Sequence, residues 1–154
     1  YNKLTTLYEN EKQPNKAIAN LEASKKVHKR NAMHYQIGKA CAEYNIQLKK
    51  GENCLLTYIK NHSAKDGVPK AWAYYRLAQI KKHQNKKEKA LKYINLAIDN
   101  LPEIEVFGEE KEKILGLWLL SHKNAEAQKD WNTLLFLEKE AGLQKTWKIN
   151  RLGF

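Results

Sequence analysis

The chain has 154 residues, 42% hydrophobic, 10% aromatic and 29% charged, the balance of one soluble globular domain rather than a disordered segment. Seven Gly, three Pro and two Cys are too few for a turn-rich all-β sandwich or a disulfide scaffold. The longest apolar stretch is the seven residues Ile114 to Leu120, against the about 18 that span a membrane, and 28 basic against 17 acidic residues leave a net charge of +11.

A basic chain admits nucleic acid, anionic lipid and acidic proteins as partners. The kind of base narrows this. Only Arg30, Arg76 and Arg151 are Arg. Bidentate phosphate and guanine recognition is chiefly Arg chemistry, whereas Lys is a hydrated point charge suited to exposed helix faces. The abundance of Lys and Asn also fits an AT-rich genome. Solvated lysine faces are therefore expected over nucleic-acid recognition.

Helical periodicity runs almost from end to end, and no stretch alternates apolar and polar residues long enough to make a strand. Eight helices are predicted, at 1–11, 14–28, 31–48, 52–63, 70–83, 86–100, 108–123 and 128–141. Breaks fall at Lys12-Gln13-Pro14-Asn15, Lys49-Lys50-Gly51, Lys65-Asp66-Gly67-Val68-Pro69, Gln84-Asn85, Pro102 and Asn124. Pro14 and Pro69 stand where a helix begins and Pro102 where one stops. Connections this short force antiparallel neighbours. The predicted fold class is all-α, a single domain over 1–154.

The helices recur in similar pairs. First helices carry an aliphatic residue followed by a small one, at Leu4-Thr5, Ile37-Gly38, Leu77-Ala78 and Leu115-Gly116. Second helices open with a small residue and then a large one, Ala17-Ile18, Cys54-Leu55 and Ala90-Leu91, followed on the same face by Leu21, Tyr58 and Ile94. Small residues let paired helices approach, large ones fill the groove between pairs, and a period of 33 to 40 residues is that of a helical solenoid.

On these residues the chain resembles a tetratricopeptide repeat protein of bacterial type. The match is best over Ala71 to Glu103, where Tyr74 takes the place of the family's Trp, Leu77-Ala78 that of Leu-Gly, and Ala90, Ile94, Ala97 and Pro102 follow at family spacing. Repeats are expected at 1–30, 31–68 and 71–104, with a divergent pair at 108–141 and a cap at 142–154 built on Trp147, Ile149, Leu152 and Phe154. The repeat at 31–68 carries about four extra residues, expected in its first helix. The repeat at 1–30 lacks its opening residues, so the array is expected to continue upstream.

The resemblance implies a right-handed superhelical solenoid that binds a protein or peptide segment in a concave groove lined by first helices. Carried over residue by residue, the groove comprises Tyr35, Gln36 and Lys39, then Trp72, Tyr75, Arg76, Gln79 and His83, then Lys113. That mixture suits apolar anchors with an acidic side chain or a free C-terminal carboxylate. Of the carboxylate clamp some relatives use, only Arg76 stands at a matching site; Asn2, Thr6, Gln36 and Trp72 occupy the others. Each groove residue has a plainer alternative: Tyr35, Trp72 and Tyr75 packing against the next repeat, and Arg76 tied to an acidic neighbour. Lys81-Lys82 and Lys86-Lys87 are expected to be solvated.

No Gly-rich phosphate loop, His-Glu-x-x-His, Cys-x-x-Cys or Gly-x-Ser-x-Gly is present. His34 and Cys41 share a helix face as metal ligands can, but no third ligand is placed by sequence. Glu109, Glu110 and Glu112 read as an acidic helix start. Neither a catalytic residue, a metal nor a cofactor is therefore expected. Cys41 and Cys54 are expected at different heights in a helical hairpin, as buried free thiols of a cytoplasmic protein. Two further readings stay open: a sensory or self-associating segment of a longer protein, with a homo-oligomer among its forms, and a nucleic-acid binder using the net charge.

Overall fold

A computed structural model describes residues 4, 6, 7 and 13–127, and among these the chain is all-helical. Six helices follow one another: α1 (Pro14–His28), α2 (Asn31–Tyr44), α3 (Leu48–Lys60), α4 (Lys70–His83), α5 (Lys87–Asn100) and α6 (Glu105–Ala127), with one 3₁₀ turn at Ala64–Asp66. Leu4, Thr6 and Leu7 are also helical. The helix expected at 128–141, with Trp131, Leu134 and Leu135, and the cap at 142–154 lie outside the described residues.

Pro14 opens α1 at its first turn, where a missing N–H costs nothing. α1 stops at Lys29 in the left-handed region (φ 49°), its N–H bonded back to Lys25 O at 2.8 Å. Pro69 likewise precedes α4, which spans the predicted 70–83.

Several boundaries differ from expectation. The helix expected over 31–48 ends at Tyr44, because Asn45 and Gln47 both turn left-handed (φ 54° and 47°), and α3 begins at Leu48 instead of 52. Gly51 is thus no breaker. A Cβ there would stand 2.6 Å from Cys41 Cβ, so it is the residue that lets α3 close on α2. A helical turn further on, a Cβ at Gly38 would collide with Leu55 Cγ. Two glycines, one from each helix, thereby set the α2–α3 crossing at two heights.

The extra residues of the 31–68 repeat are also elsewhere. α2 and α4 both have 14 residues, and the surplus forms the connection 61–69. That connection is tied down. Asn31 Nδ2 donates to Tyr58 O at 3.1 Å and to Asp66 Oδ2 at 3.0 Å, Ser63 N–H donates to Asp66 Oδ2 at 2.8 Å, and the Tyr58 hydroxyl donates to Val68 O. Finally, α6 runs Glu105–Ala127, so Asn124 does not end it, and Ile114 rather than Leu115 is its fully buried aliphatic residue.

The core is a string of three clusters. Ile18, Leu21, Met33, Ile37 and Cys41 join α1 to the α2–α3 hairpin. Tyr35, Leu55, Tyr58, Leu77 and Ile80 join that hairpin to α4. Tyr75, Ala78, Leu91, Ile94, Phe107 and Ile114 join α4 to α5 and α6. Trp72, Tyr74 and Tyr93 pack against both the second and third clusters. Each helix packs on its sequence neighbour; beyond that, α2 packs closely on α4 and α4 more narrowly on α6, while α1 and α3 are joined through side chains, with Lys50 Nζ 2.7 Å from Glu22 Oε1 and Cys54 in the cluster of Ile18 and Leu21.

Cys41 and Cys54 are buried and free. Both lie in the apolar cluster that joins α1 to the α2–α3 hairpin. Burial, with each other's charge a lesser cause for Cys41, pushes the Cys41 thiol up to about 11; burial also raises that of Cys54.

Candidate functional site

The neighbouring faces of α2, α4 and α6 carry most of the residues that sequence places in a groove. At their centre is Arg76 of α4. Its Nη2 lies 3.2 Å from Glu43 Oε1 of α2, its Nη1 donates to Gln79 Oε1 at 3.1 Å, and Gln79 Nε2 donates to the Tyr75 hydroxyl at 3.1 Å. The guanidinium also lies 5.0 Å from the Tyr75 ring centroid, in cation–π range. Arg76 is thus held on three sides, with its side chain 11% exposed and its Nε without a hydrogen-bond partner. Of its plainer alternatives, the acidic tie is realised through Glu43.

Beneath the polar groups lies an aromatic triad. Trp72 meets Tyr75 edge-on at 5.7 Å and Phe107 of α6 at 4.9 Å, and Tyr75 meets Phe107 at 5.3 Å. These rings fix α6 against α4. Tyr75 is 8% exposed; burial raises its hydroxyl pKa, and the nearby Arg76 charge only partly opposes this. Tyr35 is 5% exposed and stands 5.5 Å from Tyr58 in the second core cluster. Both tyrosines serve packing first. Gln36, Lys39, Trp72, Arg76 and Gln79 are half-buried, while His83 and Lys113 are exposed. Partial desolvation and the Lys82 charge lower the pKa of His83, against the pull of Glu110. The recorded hydrogen bonds, ion pairs and ring contacts unite Trp72, Tyr75, Arg76 and Gln79; they bring neither Lys39 nor Lys113 into that group.

Two ion pairs at the same end of α4 escaped the sequence reading. Lys81 Nζ lies 2.7 Å from Glu52 Oε1 of α3, and Lys82 Nζ lies 2.7 Å from Glu110 Oε1 of α6. Lys81-Lys82 is therefore not a solvated pair, and Glu110 is not a first-turn acid; it sits buried, one turn into a helix that starts at Glu105. Spacing carried the signal in both cases. Lys81 follows Leu77 by four and Ala78 by three, and Glu110 lies three after Phe107 and four before Ile114, all on buried stripes. Glu43, which holds Arg76, had no such signal.

Among the described residues no group of three or more His, Cys, Asp or Glu is placed to hold a metal ion. His34 and Cys41 do not acquire a third ligand, and burial with the Lys25 charge lowers the pKa of His34. No helix among the described residues is long and apolar enough to cross a membrane. No protein-family model matches the chain, and neither a curated protein nor a solved structure is significantly similar to it.

Proposed function

We propose that the chain is a non-catalytic helical-repeat scaffold of tetratricopeptide type, which binds a peptide or protein segment on the face formed by α2, α4 and α6. The observation that carries the reading is the asymmetry of packing. α4 packs on both α2 and α6, with α2 and α4 in close backbone approach, whereas α1 and α3 meet through side chains such as Lys50 and Glu22 without such an approach, and α3 and α5 do not pack closely. In an array of helix pairs, the members that crowd together lie on the inside of the curve. The clusters strung along the chain support the same reading, since each joins the two helices of a hairpin to the helix beside it in chain order.

The face offers half-buried polar side chains, Gln36 and Lys39 on α2 and Arg76 and Gln79 on α4, the last two joined to one another and to Tyr75, whose ring packs with Trp72 and Phe107. Arg76 is the side chain suited to an anionic group. Its tie to Glu43 is an ion pair whose carboxylate is 39% exposed, so an incoming carboxylate can take that place.

The test is selection of binders from a random peptide library against the whole chain, followed by affinity measurement on Arg76→Ala and Lys39→Glu. Loss of binding in these variants, with helical content kept, supports the reading. Binding that is indifferent to both and lost instead in Lys92→Glu, on the exposed face of α5, would move the site off this surface.

A further inference from the structure

A separate surface lies at one end of the bundle. The two-residue turn from α1 to α2 and the 61–69 connection from α3 to α4 come together there, because Asn31 at the start of α2 bonds both Tyr58 O near the end of α3 and Asp66 of the connection. Around that hub stand Lys26, Lys29, Arg30, Lys60, Lys65 and Lys70, all exposed. Among the described residues none of the six takes part in an ion pair, whereas Lys50, Arg76, Lys81 and Lys82 elsewhere do. Asp66 is the one acidic residue within 25–35 and 56–72, and its carboxylate is engaged by Asn31 and Ser63, whose hydrogen bonds hold its pKa below the usual value. The next turn along the same end, between α5 and α6, carries Asp99, Glu103 and Glu105 and no base, so the basic field stops there.

The most exposed large apolar side chain among the described residues stands in this field. Val27 is 62% exposed, flanked in sequence by Lys26 and His28.

We infer that this end of the bundle, formed by the α1–α2 turn and the 61–69 connection, docks the protein on an anionic lipid surface. Three features favour lipid over nucleic acid. The bases sit on turns and helix ends spread over one end of the bundle, a shape that meets a plane of headgroups; neither a helix nor a ribbon is presented to a groove. Among the described residues near this end, the Tyr and Trp rings are taken up in packing and not offered to a base: Tyr35 and Tyr58 are buried and Trp72 packs on Phe107. Five of the six bases are Lys, sufficient for the diffuse attraction of acidic headgroups, and Val27 adds an aliphatic contact at the headgroup boundary. The association would be peripheral, made by side chains of turns and helix ends.

Co-sedimentation of the whole chain with phosphatidylcholine vesicles containing about 30% phosphatidylserine, at about 0.1 M salt, tests this. Vesicles of phosphatidylcholine alone, a DNA duplex and polyglutamate are the references. Binding to the anionic vesicles only, weakening as salt rises, is the expected result. Lys29→Glu/Arg30→Glu/Lys65→Glu should lose about 100-fold in affinity, as three surface-facing bases are reversed. Lys86→Glu/Lys89→Glu/Lys92→Glu makes the same change in net charge on exposed residues around α5 and should lose only a few-fold, about the effect of net charge alone. Circular dichroism confirms that both variants keep their helices. The inference is overturned by absence of vesicle binding, by equal losses in the two triple variants, or by tighter binding to the duplex or polyglutamate than to the vesicles.

Discussion

Lys81 Nζ and Glu52 Oε1 lie 2.7 Å apart between α4 and α3, with side chains only 5% and 12% exposed. Burial pushes the Glu52 carboxyl pKa upward, but the Lys81 hydrogen bond and charge, with Lys49 and Gln84 behind them, hold it below its ordinary value of 4.5. A buried pair of this kind is costly to break from one side, because the remaining charge stays desolvated. Glu52→Gln is expected to destabilise the fold by about 3–5 kcal/mol, whereas Glu52→Leu/Lys81→Met should be nearly neutral. Urea unfolding of the three proteins checks this. A folded-state pKa that is depressed makes the Glu52 contribution present above 4.5 and lost as the pH falls through the lower folded value, so the single variant should also show a shallower acid transition.

Glycine-to-alanine changes should have opposite signs at two positions. Gly38→Ala drives a methyl group into Leu55 Cγ and should destabilise by about 1–3 kcal/mol even after the gain in helix propensity. Gly108→Ala on α6 meets nothing within 4 Å and should stabilise by up to about 1 kcal/mol. Thermal melts of the two variants decide the matter, and Gly38→Ala/Leu55→Ala should recover part of the Gly38 loss.

These two positions also show how far the chain could be read from its residues. The aliphatic–small step Ile37-Gly38, the breaks at Pro14 and Pro69, and the limits of α1 and α4 were legible because local chemistry and packing agree there; that Leu55 is the residue closing on Gly38 was not. Gly51 misled: its intrinsic preference is for a break, and only its approach to Cys41 explains its place inside a helix. Asn45 and Gln47 end and restart the chain in left-handed conformations, and Gln47 carries no sequence signal for one. Within the candidate site, Trp72, Tyr75, Arg76 and Gln79 were found as a group, but Tyr35 and Tyr75 are tied up in the core, and Glu43 became visible only with α2 beside α4.

Tyr58 supplies an alkaline limit. Burial first, with the Asp66 charge, pushes its hydroxyl pKa up to about 12 from 10.0, while its bond to Val68 O fixes the 61–69 connection. A raised folded-state pKa means that its contribution is complete below 10.0 and is lost as the pH rises towards about 12. Tyr58→Phe should cost about 1 kcal/mol at neutral pH and flatten the loss of stability over that alkaline window. Denaturant midpoints measured from neutral to alkaline pH give the comparison.

The thiols should be silent in the native state. Cys41 and Cys54 are buried with raised pKa values, so little thiolate is present near neutral pH. An aromatic disulfide reagent should titrate both cysteines rapidly in denaturant and neither on the same timescale in buffer. Fast native reactivity at either residue would show that the α2–α3 seam opens.

If Arg76 recognises an anionic group, Glu43 is its internal competitor. Glu43→Gln should leave the fold intact, since the pair is partly exposed, and should tighten binding of an acidic library-selected peptide about 2- to 5-fold. Arg76→Ala should weaken the same peptide, and the double variant should resemble Arg76→Ala alone. Additive effects in the double variant would mean that Glu43 acts elsewhere.

The measurement that bears most directly on the scaffold reading is an amide chemical-shift titration of the whole chain with a library-selected peptide. The account predicts that the largest changes cluster on α2 and α4 at Gln36, Lys39, Arg76 and Gln79 and extend to Lys113 on α6, while exposed positions such as Lys26 on α1 and Lys92 on α5 stay unmoved. Changes concentrated on α1, α3 and α5, with α2 and α4 unaffected, would contradict it.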